Sequence, residues 1–240
     1  FNKVINSLKF YKTKIYVSID GHKNNHDKIE QLKMINLINK NKRNLQIKFR
    51  VLNKNLGCQK ANFSALDWFF SKEEKGIILE DDILPTKSFF KFCNKLLAKY
   101  IDDEKVFSIS GHTPLNINKI NSDYFFSKIF ISWGWATWRS RWLIVKKYKS
   151  KSRWTKLLKN KHWNLFLNNK IKRRFFKKIY NLIFLDKINS WAYLWMLIGV
   201  ANNSKFILPK YKLVKNTGTQ TFGANYIPSN FEYANFKTYK

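Results

Sequence analysis

Over its first 110 residues the chain alternates between two hydrophobic rhythms. Lys14-Ile-Tyr-Val-Ser-Ile-Asp20 is a short β-rich run that ends on an acid and is followed by Gly21. Residues 27–40 carry Ile29, Leu32, Ile35, Leu37 and Ile38 at a broad helical spacing, and Gln46-Ile-Lys-Phe-Arg-Val-Leu52 returns to strict alternation. Residues 59–71 set Phe63, Leu66, Phe69 and Phe70 close to one helical face, then Gly76-Ile-Ile-Leu-Glu80 reads as a third strand. An amphipathic helix over 87–100 and the strand Val106-Phe-Ser-Ile-Ser110 complete the series. Strands separated by 10–15 residues of helical pattern predict βαβ units, an α/β fold and a mainly parallel central sheet. Phe1 to Phe10 reads as a helix, and the βαβ plan then places a truncated first strand upstream of Phe1.

The second half is less regular. Residues 112–128 read as loop, and Phe130-Ile-Ser-Trp-Gly-Trp-Ala-Thr-Trp138 is a dense aromatic segment around one glycine. Residues 139–181 are basic and helical in pattern, Ser190 to Val200 is an apolar helix, and Lys205 to Leu208 is a short strand before Pro209. From Asn216 the chain is rich in Gly, Asn and Thr and reads as loop. There is no internal repeat.

Length and composition narrow the picture further. The 240 residues suit one domain with a sizeable core. An aromatic share of 17% with nine Trp fits either a Trp-rich core or ring faces on which sugars can lie. Lys and Arg number 46 against 15 Asp and Glu, a net charge of +31 that draws the chain toward polyanions: nucleic acid, anionic lipid or a phosphorylated substrate. Solvated lysine-rich faces are the competing explanation. Cys58 and Cys93 make no disulfide framework, which fits a reducing, cytoplasmic compartment. No run approaches the roughly 18 apolar residues of a membrane span; the given residues carry no signal-peptide pattern, and a start at Phe1 rather than Met implies further residues upstream.

The candidate chemistry sits where strands end. In open α/β sheets, ligands bind outside the carboxyl ends of the strands. Glu80-Asp81-Asp82 falls at such an end, and three adjacent carboxylates repel one another unless a cation or hydrogen-bond donors offset them. A hard divalent ion, Mg²⁺ or Mn²⁺, resolves the repulsion and can hold a diphosphate at the same time. Helix capping ahead of residue 87 is the alternative, and it accounts for one acid rather than three. Asp20 ends the preceding strand, where it suits either a nucleotide contact or an ordinary Asp-Gly turn. His22, His26, His112 and His162 show no paired ligand spacing.

An ordered set of motifs is similar to one family. Ile77-Ile-Leu-Glu-Asp-Asp-Ile-Leu-Pro-Thr-Lys-Ser-Phe-Phe90, Ser108-Ile-Ser-Gly111, Trp133-Gly-Trp-Ala-Thr-Trp138, Ser190-Trp-Ala-Tyr-Leu-Trp195 and Leu208-Pro-Lys-Tyr-Lys-Leu-Val-Lys-Asn-Thr-Gly218 resemble, in this order, GT-A fold glycosyltransferases related to N-acetylglucosaminyltransferase I, in their bacterial branch. The resemblance runs over about residues 14–224. It implies a Rossmann-like nucleotide-diphospho-sugar transferase domain over 1–224, with a nucleotide-binding half to about 111, an acceptor-side half beyond it, and a C-terminal tail over 225–240. It also implies a metal-dependent, inverting transfer from a nucleotide-sugar donor, expected to be a UDP-sugar, to a glycan or glycolipid in surface polysaccharide synthesis. Asp82 would be the ligand of Mn²⁺ or Mg²⁺, Glu80 and Asp81 would contact donor sugar and ribose, and Asp20 the base. The Trp133-Gly134-Trp135 turn would border the sugar pocket.

The chain departs from that family at the catalytic base. Relatives place an Asp near the Trp that matches Trp191, whereas Asn189, Ser190 and Ala192 surround it here and none of them is an acid. Asp186, three residues earlier, is the candidate base. The relatives' Thr-His pair near the end is replaced by Thr221-Phe222. A sugar- or nucleotide-binding module without turnover therefore stays open. So does a nucleic-acid-binding role, for which Arg139 to Lys178 with Trp142, Trp154 and Trp163 is the nearest approach to a basic aromatic face. The same basic segment is a candidate for peripheral contact with an anionic membrane at its inner face.

Overall fold

The β-rich runs of the first half become strands at or within two residues of their predicted ends. A computed structural model describes residues 1–218 apart from Lys12, Arg43, 115–120 and Lys149. Helix α1 (Asn2–Ser7) runs into a 3₁₀ turn (Leu8–Phe10) and leads to β1 (Lys14–Ile19), α2 (Asn25–Asn41), β2 (Gln46–Val51), α3 (Gly57–Phe70), β3 (Lys75–Ile78), β4 (Ile83–Pro85), α4 (Lys87–Lys99) and β5 (Val106–Ser110). There follow β6 (Tyr124–Ser127), β7 (Trp135–Trp138), the helices α5 (Arg139–Lys146), α6 (Lys151–Leu158), α7 (Lys161–Phe166), α8 (Lys170–Phe184) and α9 (Trp191–Ala201), then β8 (Lys205–Pro209) and β9 (Val214–Asn216). Residues 225–240, and the Thr221-Phe222 pair, lie outside the described residues.

The architecture is mixed α/β, and the expectation of a mainly parallel sheet is corrected. β1 and β2 pair in parallel, with Lys14 opposite Gln46 and Ile19 opposite Val51. A five-stranded sheet has the order β3-β7-β5-β8-β6, in which only β5 and β8 are a parallel pair. β4 and β9 form a third, antiparallel pair. The reason lies in two unpredicted strands. Trp135–Trp138 enters between β3 and β5 and runs antiparallel to both, so β3 and β5 keep the common direction that the α4 crossover demands without touching. Tyr124–Ser127, read as loop, closes the far edge against β8.

The core divides into two clusters. On one face, α9 lies at the centre and nine of its residues are buried, as its unbroken apolar sequence requires. Trp135, Trp142, Trp163 and Trp195 are fully buried there, so these four indoles belong to the core. On the other face, α1, α4 and β1–β2 pack Ile5, Ile15, Ile19, Phe89 and Leu96 against Ile109 and Ile207.

One charged residue fastens the turn that aims β5. Arg141, 2% exposed, donates Nε to the Val106 carbonyl, Nη1 to Ile101 and Nη2 to Tyr100 and Asp103. Its guanidinium also lies 4.6 Å from the Trp138 ring centre. A lysine cannot reproduce that fork. Arg141→Lys is expected to lower the unfolding free energy by about 2 kcal/mol, because buried carbonyls lose their donors. Urea denaturation measures this, and a midpoint equal to the parent's would contradict it.

Candidate functional site

The carboxyl end of β3 turns sharply at the acidic triplet: the Ile83 amide donates to the Glu80 carbonyl at 3.1 Å. The turn gives its three acids different surroundings. Asp81 is exposed. The Glu80 side chain reaches inward and accepts from the Trp191 indole, Nε1 to Oε1 at 3.1 Å. Burial raises its pKa to about 7, against the pull of that hydrogen bond, and the charges of Asp82 and Asp81 push the same way. Trp191 stacks on Trp135 with ring centres 5.1 Å apart, so the acid is anchored to the aromatic core.

Asp82 is held from the opposite side of the chain. β9 pairs with β4, bringing residues 216–218 against the triplet. Thr217 donates its amide (2.8 Å) and its hydroxyl (2.9 Å) to the Asp82 carbonyl, and Asn216, beside the carboxylate, tempers the rise of its pKa. Gly218 packs so closely that a Cβ there would come 2.4 Å from Asp82 Oδ2. The other carboxylate oxygen, Oδ1, is buried with no hydrogen-bond partner among the described residues. Burial first, then the charge of Asp81, raises the Asp82 pKa.

Asp20 lies at the end of β1 and has a structural task. Its carboxylate accepts from the amides of Gly21 (2.9 Å), Leu56 (2.9 Å) and Gly57 (3.0 Å), which satisfies the otherwise open N-terminus of α3. Asn189 assists from far along the chain: its Oδ1 accepts from the Gln59 amide at 2.8 Å. Gly57 adopts φ +74° there, and a Cβ would meet the Asn189 amide nitrogen at 2.6 Å. Cys58, in the first turn of α3, feels the charges of both Glu80 and Asp20, and burial pushes its thiol up to about 11. Asp20, Asn189, Cys58, Glu80 and Trp191 thus form one continuous cluster at the start of α3.

The aromatic turn divides in two. Trp135 is 1% exposed and belongs to the core, whereas Trp133 is half-buried and packs on His112, ring centres 4.5 Å apart. Gly134, at φ +55°, allows this reversal and accepts from the Gly111 amide. His112 is itself buried, and desolvation together with Lys212 lowers its pKa to about 3. Asp186, with φ +56°, follows α8, and its side chain is 80% exposed and paired with Lys151 at 2.6 Å.

Among the described residues no three His, Cys, Asp or Glu side chains converge as a metal cage. The donor set fits a different mode. A hard cation in a phosphate site takes one or two protein carboxylates and completes its shell with phosphate oxygens and water. The unpartnered Oδ1 of Asp82 and the exposed Asp81 suit that mode. The contributions of Asn189, Trp191, Asn216 and Thr217 had no local signal, since each partner lies more than 100 residues away in sequence.

Glu80 makes stability depend on pH. Its native pKa lies above the ordinary 4.5, so the folded state holds the proton more tightly than the unfolded chain. That advantage is complete below pH ~4.5 and is lost as pH rises through about 7, a change of about 3 kcal/mol. In the metal-free protein, Glu80→Gln should keep the Trp191 contact and flatten the decline between pH 5 and 7. Parallel denaturation curves for parent and variant across that range would contradict the assignment. Neither a model of a known protein family nor any curated protein matches the chain.

Proposed function

We propose that the chain is a GT-A fold, metal-dependent, inverting glycosyltransferase that moves a sugar from a nucleotide-diphosphate donor, a UDP-sugar, to a glycan or glycolipid acceptor. The observation that carries the reading is Asp82: a half-buried side chain just past a strand's carboxyl end, with Thr217 and Gly218 packed on one side and its Oδ1 buried without a hydrogen-bond partner among the described residues. A buried anionic oxygen without a donor is costly, and its presence beside two further acids is accounted for by a ligand that brings positive charge.

In this reading Asp82 would hold Mn²⁺ or Mg²⁺, which would supply positive charge to the donor diphosphate. Charge collecting on the departing nucleoside diphosphate would be offset by that cation. Asp81 is free to meet the ribose, and Glu80, oriented by the Trp191 indole, faces the transferred sugar. Asp20 sits at the base side of the cluster and combines that contact with its capping of α3. Trp133, turned on Gly134 and packed on His112, borders the sugar, while Trp135 lies in the core and stacks on Trp191, the indole that holds Glu80. The acceptor hydroxyl needs a base, for which Asp186 is the candidate; its ion pair with Lys151 must open before the carboxylate can take a proton. The reaction would occur at the cytoplasmic side, where nucleotide sugars are made.

A second reading is favoured by Asn189. That side chain, in the sequence position where the resembling enzymes carry an acid, is occupied in capping α3. A nucleotide-sugar-binding module without turnover would look the same.

The experiment incubates the protein with a panel of nucleotide sugars and Mn²⁺ and follows nucleoside diphosphate release, with and without chelator. Release that needs metal and falls by at least about 100-fold in Asp82→Ala is expected. Donor binding without release would favour the module, and absence of donor binding would sink both readings. Turnover unchanged in Asp186→Asn would remove Asp186 as the base.

A further inference from the structure

The outer face of α8 combines two properties that a water-facing helix rarely combines. Its core stripe is Phe176, Ile179, Tyr180 and Ile183, at the 3–4–7 spacing of a packed helix. Ile171 and Phe175, one turn apart, lie off that stripe and are 80% and 50% exposed. At 100° per residue, Ile171, Phe175 and the half-buried Leu182 line up as a second, outward apolar strip, with the long stem of Lys178 on the same line.

Beside this strip the helix is cationic. Lys170, Arg173, Arg174, Lys177 and Lys178 are all exposed. From Arg139 to Leu185 the chain carries sixteen Lys or Arg and no Asp or Glu. The next acid, Asp186, is paired with Lys151. Among the described residues Lys170, Arg174, Lys177 and Lys178 form no ion pair, so their charge is uncompensated within the fold. No helix among the described residues is long and apolar enough to cross a membrane.

We propose that the outer face of α8 docks on an anionic phospholipid bilayer, with Ile171 and Phe175 entering the headgroup boundary and the neighbouring Lys and Arg meeting lipid phosphates. A helix lying in the interface needs this arrangement: an apolar edge to bury and a basic edge to reach the phosphates. Charge complementarity selects the anionic surface, which attracts each nearby cation. The apolar strip selects lipid over nucleic acid, because two of its three members are aliphatic and offer no ring for a base to stack on. This assignment is independent of the transfer reaction, and a protein without turnover would still carry it.

The test is co-sedimentation of the full chain with vesicles of phosphatidylcholine alone, and with about 30 mol% phosphatidylglycerol, at ~0.1 M and ~0.5 M NaCl. The parent should partition onto the anionic vesicles at least about 10-fold better than onto the zwitterionic ones at low salt. Ile171→Ser with Phe175→Ser should weaken binding about 10-fold at both salt concentrations, since apolar insertion is little screened. Arg174→Gln with Lys178→Gln should weaken it mainly at low salt. All four positions are exposed, and matching circular dichroism and melting curves would confirm intact folding. Unchanged binding of the serine variant, equal binding to both vesicle types, or tighter binding to a single-stranded oligonucleotide with the serine variant indifferent would each overturn the proposal.

Discussion

Three consecutive carboxylates at the end of one strand cannot all be buried, ionised and unpartnered, because taking a charge out of water costs several kcal/mol unless something offsets it. The surrounding fold answers that constraint acid by acid. Asp81 stays in solvent. Glu80 is given an indole donor and a raised pKa, so it can shed its charge near neutral pH. Asp82 receives Asn216 beside its carboxylate and Thr217 at its carbonyl, and keeps one buried oxygen in reserve. The segments that supply these partners come from the far end of the chain. The triplet therefore ties β3, α9 and β9 into one unit.

A second set of ties runs through the N-terminus of α3. Its open amides are met by Asp20 and Asn189, from strand and loop segments 130 or more residues apart from each other. The helix dipole favours negative charge at this end, which suits the Asp20 carboxylate. Because Cys58 senses both Asp20 and Glu80, the capped helix start and the acidic turn are one electrostatic environment. The strongly basic helices lie mainly in the second half of the chain, so the molecule concentrates positive charge on one set of elements and its buried acids on another.

Local pattern carried much of the fold. β1 and β2 were legible from alternation, β3 and β5 from short β-rich runs at the ends of helical segments, and α2 to α4 from helical spacing, broad in α2. β7 was not, because Trp-Ala-Thr-Trp is buried along its whole length and shows no alternation. β4 and β9 are three residues each, and β4 ends on Pro85, which reads as a break. Missing β7 also hid the mixed character of the sheet. At the candidate site the acids themselves were legible from their place at a strand end. Their partners were not, since hydrogen bonds such as Trp191 to Glu80 span 111 residues and leave no trace in local sequence. Asn189 reads as a lost base in the sequence, while in the fold it caps a helix.

We propose that the leftover oxygen of Asp82 is a cation ligand whose shell a nucleoside diphosphate would complete. Titrating the protein with Mn²⁺, with free ion read by electron paramagnetic resonance, tests it most directly. Mn²⁺ alone should bind weakly and UDP should tighten it at least about 10-fold, with the UDP effect abolished in Asp82→Asn. Equal Mn²⁺ affinity with and without UDP, or an Asp82→Asn variant that behaves as the parent, would contradict the account.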